Sequence, residues 1–173
     1  MPAQHGHTLL GLLVTLALAA VLVMLSAPGF SDLAHKARLD SATDRLHAAV
    51  RHARHAAVTR GRAVVIAATD KAWHKGWMIF VDANGDGRRQ PGEERLATAA
   101  ALPTSITAAT NAGIGGALHY QPSGATRRPG GSLQMGTLSL CQRTPAGRLR
   151  ATRSMIVNAA GRARIESAAA SAC

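Results

Sequence analysis

The chain has 173 residues, 47% of them hydrophobic, two cysteines and a formal net charge of +11. Beyond the long N-terminal helical region described below, that length leaves room for one modest globular core and excludes a second domain. The charge gathers at one end: residues 127 to 173 hold eight arginines against the single carboxylate Glu166, which points to an anionic partner for the C-terminal part.

In chain order, the first element is a run from Leu9 to Leu25 without any charge. It is about what a hydrocarbon core roughly 30 Å thick requires of one spanning helix. The leader before it has neither Lys nor Arg, and the apolar stretch runs on into a helical pattern, so the chain does not read as a typical secretory signal. From Ser31 to Arg60 apolar residues recur three to five apart among Lys, Arg, Asp and His, at Leu33, Ala37, Ala42, Leu46, Val50, Ala53 and Ala57. This spacing predicts an amphipathic helix that continues the first as one rod, roughly 80 Å long if it runs from His7 to Arg60 at 1.5 Å per residue. Gly61 is the expected stop.

Gly6-His7-Thr8-Leu9 resembles the processing site of type IV prepilins, whose leader ends in Gly and is cut on the cytoplasmic side. The resemblance implies that a prepilin peptidase cuts between Gly6 and His7 and that His7 becomes the N-methylated first residue. It also places Pro28 where pilin helices commonly kink. Two positions depart from the family. His7 stands where Phe is usual, and Gly11 stands where the family carries the Glu thought to guide a subunit into the filament, which points to a tip or initiating position. An uncleaved N-terminal anchor is the alternative.

Beyond Gly61 the period shortens. Val64-Val65-Ile66, Trp77 to Val81, Leu118-His119-Tyr120, Leu138-Ser139-Leu140 and Met155-Ile156-Val157 read as strands. Turn clusters separate them at Asp82 to Gly92, Asn111 to Gly116, Gly124 to Gly131 and Thr144 to Gly147. The stretch Ala97 to Ala117, poor in large apolar residues, and the Ala-rich end are expected to be mobile. The expected fold is α+β and type IV pilin-like, a long N-terminal helix packed by its outer half on an antiparallel sheet whose other face is wet. Its parts are residues 1–6 as leader, 7–30 as spanning and filament-core helix, 31–60 as amphipathic helix and 61–173 as a periplasmic β-rich domain with a basic tail.

The segment Gly76-Trp77-Met78-Ile79-Phe80-Val81-Asp82-Ala83-Asn84-Gly85-Asp86-Gly87, followed by Gly92-Glu93, resembles the FimT/GspH group of minor pilins and pseudopilins. In its strand, Trp77, Ile79 and Val81 share one face and Met78 and Phe80 the other, so both faces carry bulk. The turn after it suits a hairpin. Asp82, Asn84, Asp86 and Glu93 also fit the ligand positions of an EF-hand calcium loop. Entry from a strand, Arg88 and Arg89 inside the loop, Pro91, and the want of a following helix favour the hairpin.

Gly161-Arg162-Ala163-Arg164 matches the Gly-Arg-x-Arg motif of FimT-like pilins, where it belongs to a DNA-binding tail used in natural transformation. The resemblance carries that role onto Gly161, Arg162 and Arg164. In an extended chain residues two apart point to one side about 7 Å apart, close to the spacing of successive phosphates along a strand. Arg153, Arg150, Arg148 and Arg143 could extend the stripe. The alternative is a basic tail that aids solubility or rests on anionic headgroups. None of the five aromatics, Phe30, Trp73, Trp77, Phe80 and Tyr120, lies near this tail, so phosphate contacts rather than base stacking are expected, with little dependence on sequence and a steep dependence on salt.

For a chain placed in the periplasm, Cys141 and Cys173 are expected to form a disulfide that closes a loop of about 33 residues around the motif. His47, His52 and His55 cluster on the helix, with His35 well apart. No carboxylate or Cys completes a ligand set, so solvated helix positions and no metal or other cofactor are expected. No catalytic Ser, Cys or paired-carboxylate motif is recognisable, and the chain reads as no enzyme. The expected partners are DNA, other pilin subunits, the prepilin peptidase and, before assembly, inner-membrane lipid. The expected location is the inner membrane and then the pilus. Two other readings stand beside this one: a type II secretion pseudopilin with a structural role, and a calcium-responsive membrane-anchored assembly protein.

Overall fold

Thr8 opens the first helix. Its backbone carbonyl accepts from the N–H of Leu12 at 3.1 Å and its Oγ1 from the N–H of Gly11 at 3.3 Å, an N-cap that satisfies one of the donors a helix start leaves over. The computed structural model describes residues 8 to 167 and Cys173, with backbone alone at 23 to 32. Helix α1 is Leu9–Arg60 and includes Pro28. The chain divides into two units, Met1–Ala37 and Arg38–Cys173. In the first, the large apolar side chains from Leu9 to Leu22 are exposed. Among the described residues no helix is long and apolar enough to cross a membrane. The side chains of Val23 to Leu25, at the end of the expected span, and the Gly6–His7 processing site lie outside what is described.

In the second unit α1 buries Leu39, Ala42, Leu46, Val50, Ala53 and Ala57, a stripe with steps of three and four residues. The stripe starts later than the sequence pattern suggests. Leu33 and Ala37 are exposed, and Leu39, three residues before Ala42 and seven before Leu46, takes the first core position. Gly61 ends the helix at φ 62, a left-handed conformation that L side chains adopt only at a cost.

Eight strands follow: β1 (Val64–Ala68), β2 (Trp77–Val81), β3 (Arg95–Ala99), β4 (Ile106–Thr110), β5 (Ala117–Tyr120), β6 (Gly136–Arg143), β7 (Leu149–Val157) and β8 (Ala163–Ser167). They form two antiparallel sheets rather than one, in the orders β3-β2-β1-β5 and β4-β6-β7-β8. The end of β3 and all of β4 lie in the stretch from Ala97 to Ala117 expected to be mobile. Their Ala and Thr residues offer little to a hydrophobic core, but the ladders to β2 and β6 bind their backbone groups.

One core joins the α1 stripe to Val64, Ile66, Trp77, Ile79, Leu118 and Tyr120 of the first sheet and to Leu138, Leu140, Met155 and Val157 of the second. The opposite face of the first sheet is not wet along its whole length. Val65 and Phe80, paired in register, are buried there. The excursion between β5 and β6 is stitched to β5 and to the β7–β8 turn by two buried polar side chains. Gln134 accepts from the His119 N–H at 2.9 Å and donates to the Ala117 carbonyl at 2.7 Å, while the Thr126 hydroxyl lies 2.6 Å from the Gln134 carbonyl and 3.1 Å from that of Asn158.

Candidate nucleic-acid interface

The strand pairing decides where each arginine lies. Because Met155 is in the core and faces Ile165 in register, Arg164, opposite Ile156, belongs to the outer face of the second sheet. Its Nε lies 2.8 Å from Glu166 Oε1, an exposed pair that adds little stability but tempers the charge. Arg162 sits one step before β8, in the β7–β8 turn. There the Gly161 N–H donates to the Asn158 carbonyl at 2.9 Å, the Arg162 N–H donates to Asn158 Oδ1 at 2.9 Å, and the Asn158 N–H donates to the Arg162 carbonyl at 3.1 Å. The motif is a closed turn running into a strand rather than a free tail.

That turn is pinned to α1. Arg54 donates through Nε to the Gly124 carbonyl at 3.0 Å and through Nη2 to the Ala160 carbonyl at 3.2 Å, and His47 Nε2 lies 3.3 Å from the Ala163 carbonyl. His47 is thus a half-buried contact residue and not a solvated one, whereas His52 and His55 are exposed. Between helix and turn opens a cleft of about 270 Å³ lined by His47, Val50, Arg51, Arg54, Tyr120, Gly161, Arg162 and Ala163. No carboxylate lines it. Among the described residues, the exposed side chains of Arg51 and Arg162 have no hydrogen-bond or ion-pair partner. Sequence reading missed Arg51 and Arg54. Their signal was the stripe His47, Arg51, Arg54 at steps of four and three, but not what the stripe faces.

The other arginines do not extend one stripe. Arg153 shares the core-side face of Met155, two residues on, and there its Nε pairs with Asp40 Oδ1 of α1 at 2.9 Å. Arg143 donates to the carbonyls of Gly147 at 3.1 Å and Cys173 at 3.3 Å. Arg148 and Arg150 are exposed where β6 turns into β7. From Arg150 to Asn158 is eight residues of strand, about 25 Å, so these residues form a second basic group apart from Arg162. Cys141 and Cys173 are joined by a disulfide, with Thr152 Oγ1 3.4 Å from the Cys173 sulfur.

In the β2–β3 hairpin the acidic side chains hold the loop itself. Asp82, almost fully buried, accepts from the N–H groups of Gly85 at 2.8 Å and Gly87 at 2.9 Å. Glu93 accepts from Ala83 at 3.0 Å and Gln90 at 2.9 Å, and Asp86 from Arg88 at 2.7 Å. The Arg88 amide, more than any other group, holds the Asp86 carboxyl below its usual range. The oxygens that a calcium ion would need from Asp82, Asp86 and Glu93 are therefore engaged by N–H donors, and Asn84 Oδ1 accepts from Asp86 at 3.2 Å. Among the described residues no group of three or more His, Cys, Asp or Glu is placed to hold a metal. Asp82→Ala is expected to lower stability by about 2 kcal/mol in urea unfolding, more than the half-buried Asp86→Ala, because Asp82 is almost fully buried and its loss frees two part-buried amides.

His119 of β5 borders the same hairpin. Burial pushes its imidazole below the usual 6.5, Asp82 opposes this and Arg128 adds to it. The unfolded chain then binds a proton that the folded domain resists, so this contribution is full above pH 6.5 and is lost as pH falls below it. The thermal midpoint should drop between about pH 7 and 5, with a shallower drop in His119→Gln. Parallel curves for the two proteins would remove His119 as a cause.

The family described as Type II transport protein GspH matches residues 42–161, more than half of the chain, ending at Gly161 just before Arg162 and Arg164. The type IV minor pilin FimU of Pseudomonas aeruginosa (strain PAO1) is similar in structure. In one crystal form the identity is 28% and the TM-score 0.60, over 76% of this chain and 90% of that one. In another the identity is 27% and the TM-score 0.56, over 73% and 91%. The minor pseudopilin EpsH from the type 2 secretion system of Vibrio cholerae shares the fold alone, at 13% identity and TM-score 0.51 over 73% of this chain and 94% of that one. No curated protein matches the chain in sequence. The match over most of the domain and the pilin-like α+β architecture lead to one conclusion: the chain belongs to the GspH family, whose members are minor pilins and pseudopilins, structural subunits and not enzymes.

Proposed function

We propose that this protein is a minor pilin of a type IV pilus that binds DNA without regard to sequence and serves DNA uptake in natural transformation. The observation that carries the reading is the cleft between α1 and the β7–β8 turn, where arginines gather with no carboxylate and two guanidinium groups are unpartnered. Guanidinium groups suit phosphate oxygens, and contacts of that kind hold a nucleic acid without reading its bases.

The pilin family makes other pilin subunits its partners. The exposed apolar helix from Leu9 to Leu22 supports an inner-membrane anchor before assembly, with unit Arg38–Cys173 in the periplasm. Cleavage between Gly6 and His7 by a prepilin peptidase belongs to the same reading. A second reading, a type II secretion pseudopilin, is favoured by the description of the matched family and by the fold of EpsH. In it the arginines play no part. Deleting the gene and restoring either the native chain or Arg162→Ala with Arg164→Ala separates the two. Transformation lost in the deletion and not restored by the variant, with secretion intact, supports the first. Lost secretion with normal transformation overturns it.

A further inference from the structure

The cleft has two walls from distant parts of the chain, and its chemistry differs between the residues that build it and those left open. Arg54 and His47 reach across to the carbonyls of Gly124, Ala160 and Ala163 and fix the distance between α1 and the turn. Tyr120, with no exposure, forms part of the lining, its hydroxyl 3.3 Å from the Gly161 carbonyl. Arg51 on the helix wall and Arg162 on the turn wall are exposed and unpartnered. Asp44, the next acidic residue toward the helix start, does not line the cleft. Arg164 does not line it either and is paired with Glu166.

Resting on the DNA-binding reading above, we infer that the cleft seats the phosphodiester backbone, with Arg51 of α1 and Arg162 of the turn as its phosphate ligands and with Arg54 and His47 as positioning residues. The binding site is then a fixed groove shared by the helix and the motif, and the two arginines of the motif are unequal. Arg162 contacts phosphate directly, and Arg164 contributes only a tempered charge. The polymer is favoured over a lipid headgroup because the second basic group at Arg148 and Arg150, about 25 Å along β7, lies within reach of the same long polyanion.

The test uses the full chain in a neutral detergent, a short labelled duplex and fluorescence anisotropy between about 50 and 200 mM salt. Arg51→Ala should weaken binding about tenfold, the loss expected for one charge-assisted contact, and should lower the salt slope by about one. Arg162→Ala should do the same, Arg164→Ala clearly less, and Arg88→Ala on the distant hairpin nothing. Arg51→Lys should recover part of the loss and the whole slope, since it keeps the charge without the fork. Arg51 and Arg162 hold no partner whose loss would unfold the domain, and equal thermal midpoints verify that. If Arg51→Ala leaves affinity and slope unchanged while the motif variants weaken binding, this inference is overturned and the broader reading stands. Absence of binding by the native chain at low salt defeats the broader reading itself. If Arg51→Ala instead lowers affinity for phosphatidylglycerol vesicles with DNA affinity unchanged, the cleft serves a headgroup, which also overturns the inference.

Discussion

Gly161→Ala should destabilise the domain by about 3 kcal/mol, well beyond an ordinary glycine substitution. Gly161 is buried at φ 75, which strains any L side chain. A Cβ there would also collide with the Gly124 carbonyl and come to 2.9 Å from Cε1 of the Tyr120 ring. Neither neighbour has room to yield. The Gly124 carbonyl accepts from Arg54, and Tyr120 is enclosed by the core, where burial pushes its phenol pKa well up and keeps the hydroxyl protonated as a donor to the Gly161 carbonyl. Gly61→Ala is the comparison. Its φ of 62 is similar, but nothing stands within 4 Å of the added carbon, so about 1 kcal/mol is expected. Equal losses in urea unfolding for the two variants would contradict the close-approach account. The turn also aims Arg162, so DNA affinity should fall with the first substitution and not with the second.

Replacing both Cys141 and Cys173 by Ala is expected to remove about 3 to 4 kcal/mol, the entropic worth of a crosslink across about 33 residues of unfolded chain. The two Cα atoms are 6.1 Å apart, within the usual range for a bridge, and Cys141 is buried in β6. All of β7 and β8 lie inside the closed loop, and among the described residues β8 pairs only with β7. Losing the bridge should therefore speed amide exchange first in β8, beside the arginine motif. Unfolding with and without reductant checks this. A loss below about 1 kcal/mol, with β8 exchange unchanged, would show that strand pairing alone holds the C-terminal part.

How far the sequence revealed this molecule can be read from particular residues. The helix, its stop at Gly61 and the strands built on Val64 to Ile66 and Trp77 to Val81 were legible because period and β-branched content agree there. Strands β3 and β4 were not. Arg95 to Ala99 and Ile106 to Thr110 carry little apolar bulk, and their extended state comes from partners far along the chain. Leu39 was hidden because Leu33 and Ala37 also fit the start of a helical stripe, although both are exposed and Leu39 is buried. Gly161 to Arg164 stood out as a motif, but its meaning depended on tertiary contacts. Whether Arg153 joined the motif turned on strand register, and register placed it beside Asp40. Arg51 and Arg54 were ordinary helix arginines until the β7–β8 turn was found across from them.

The most direct test of the central claim is the salt dependence of DNA binding by the full-length protein, beside Arg162→Ala with Arg164→Ala. The account predicts similar affinity for unrelated duplex sequences, a linear fall of log affinity with log salt, and a variant that is weaker and less salt-dependent by at least one phosphate contact, about 0.9 in slope. Native protein that fails to bind at low salt, or a variant that binds with unchanged affinity and slope, would contradict it.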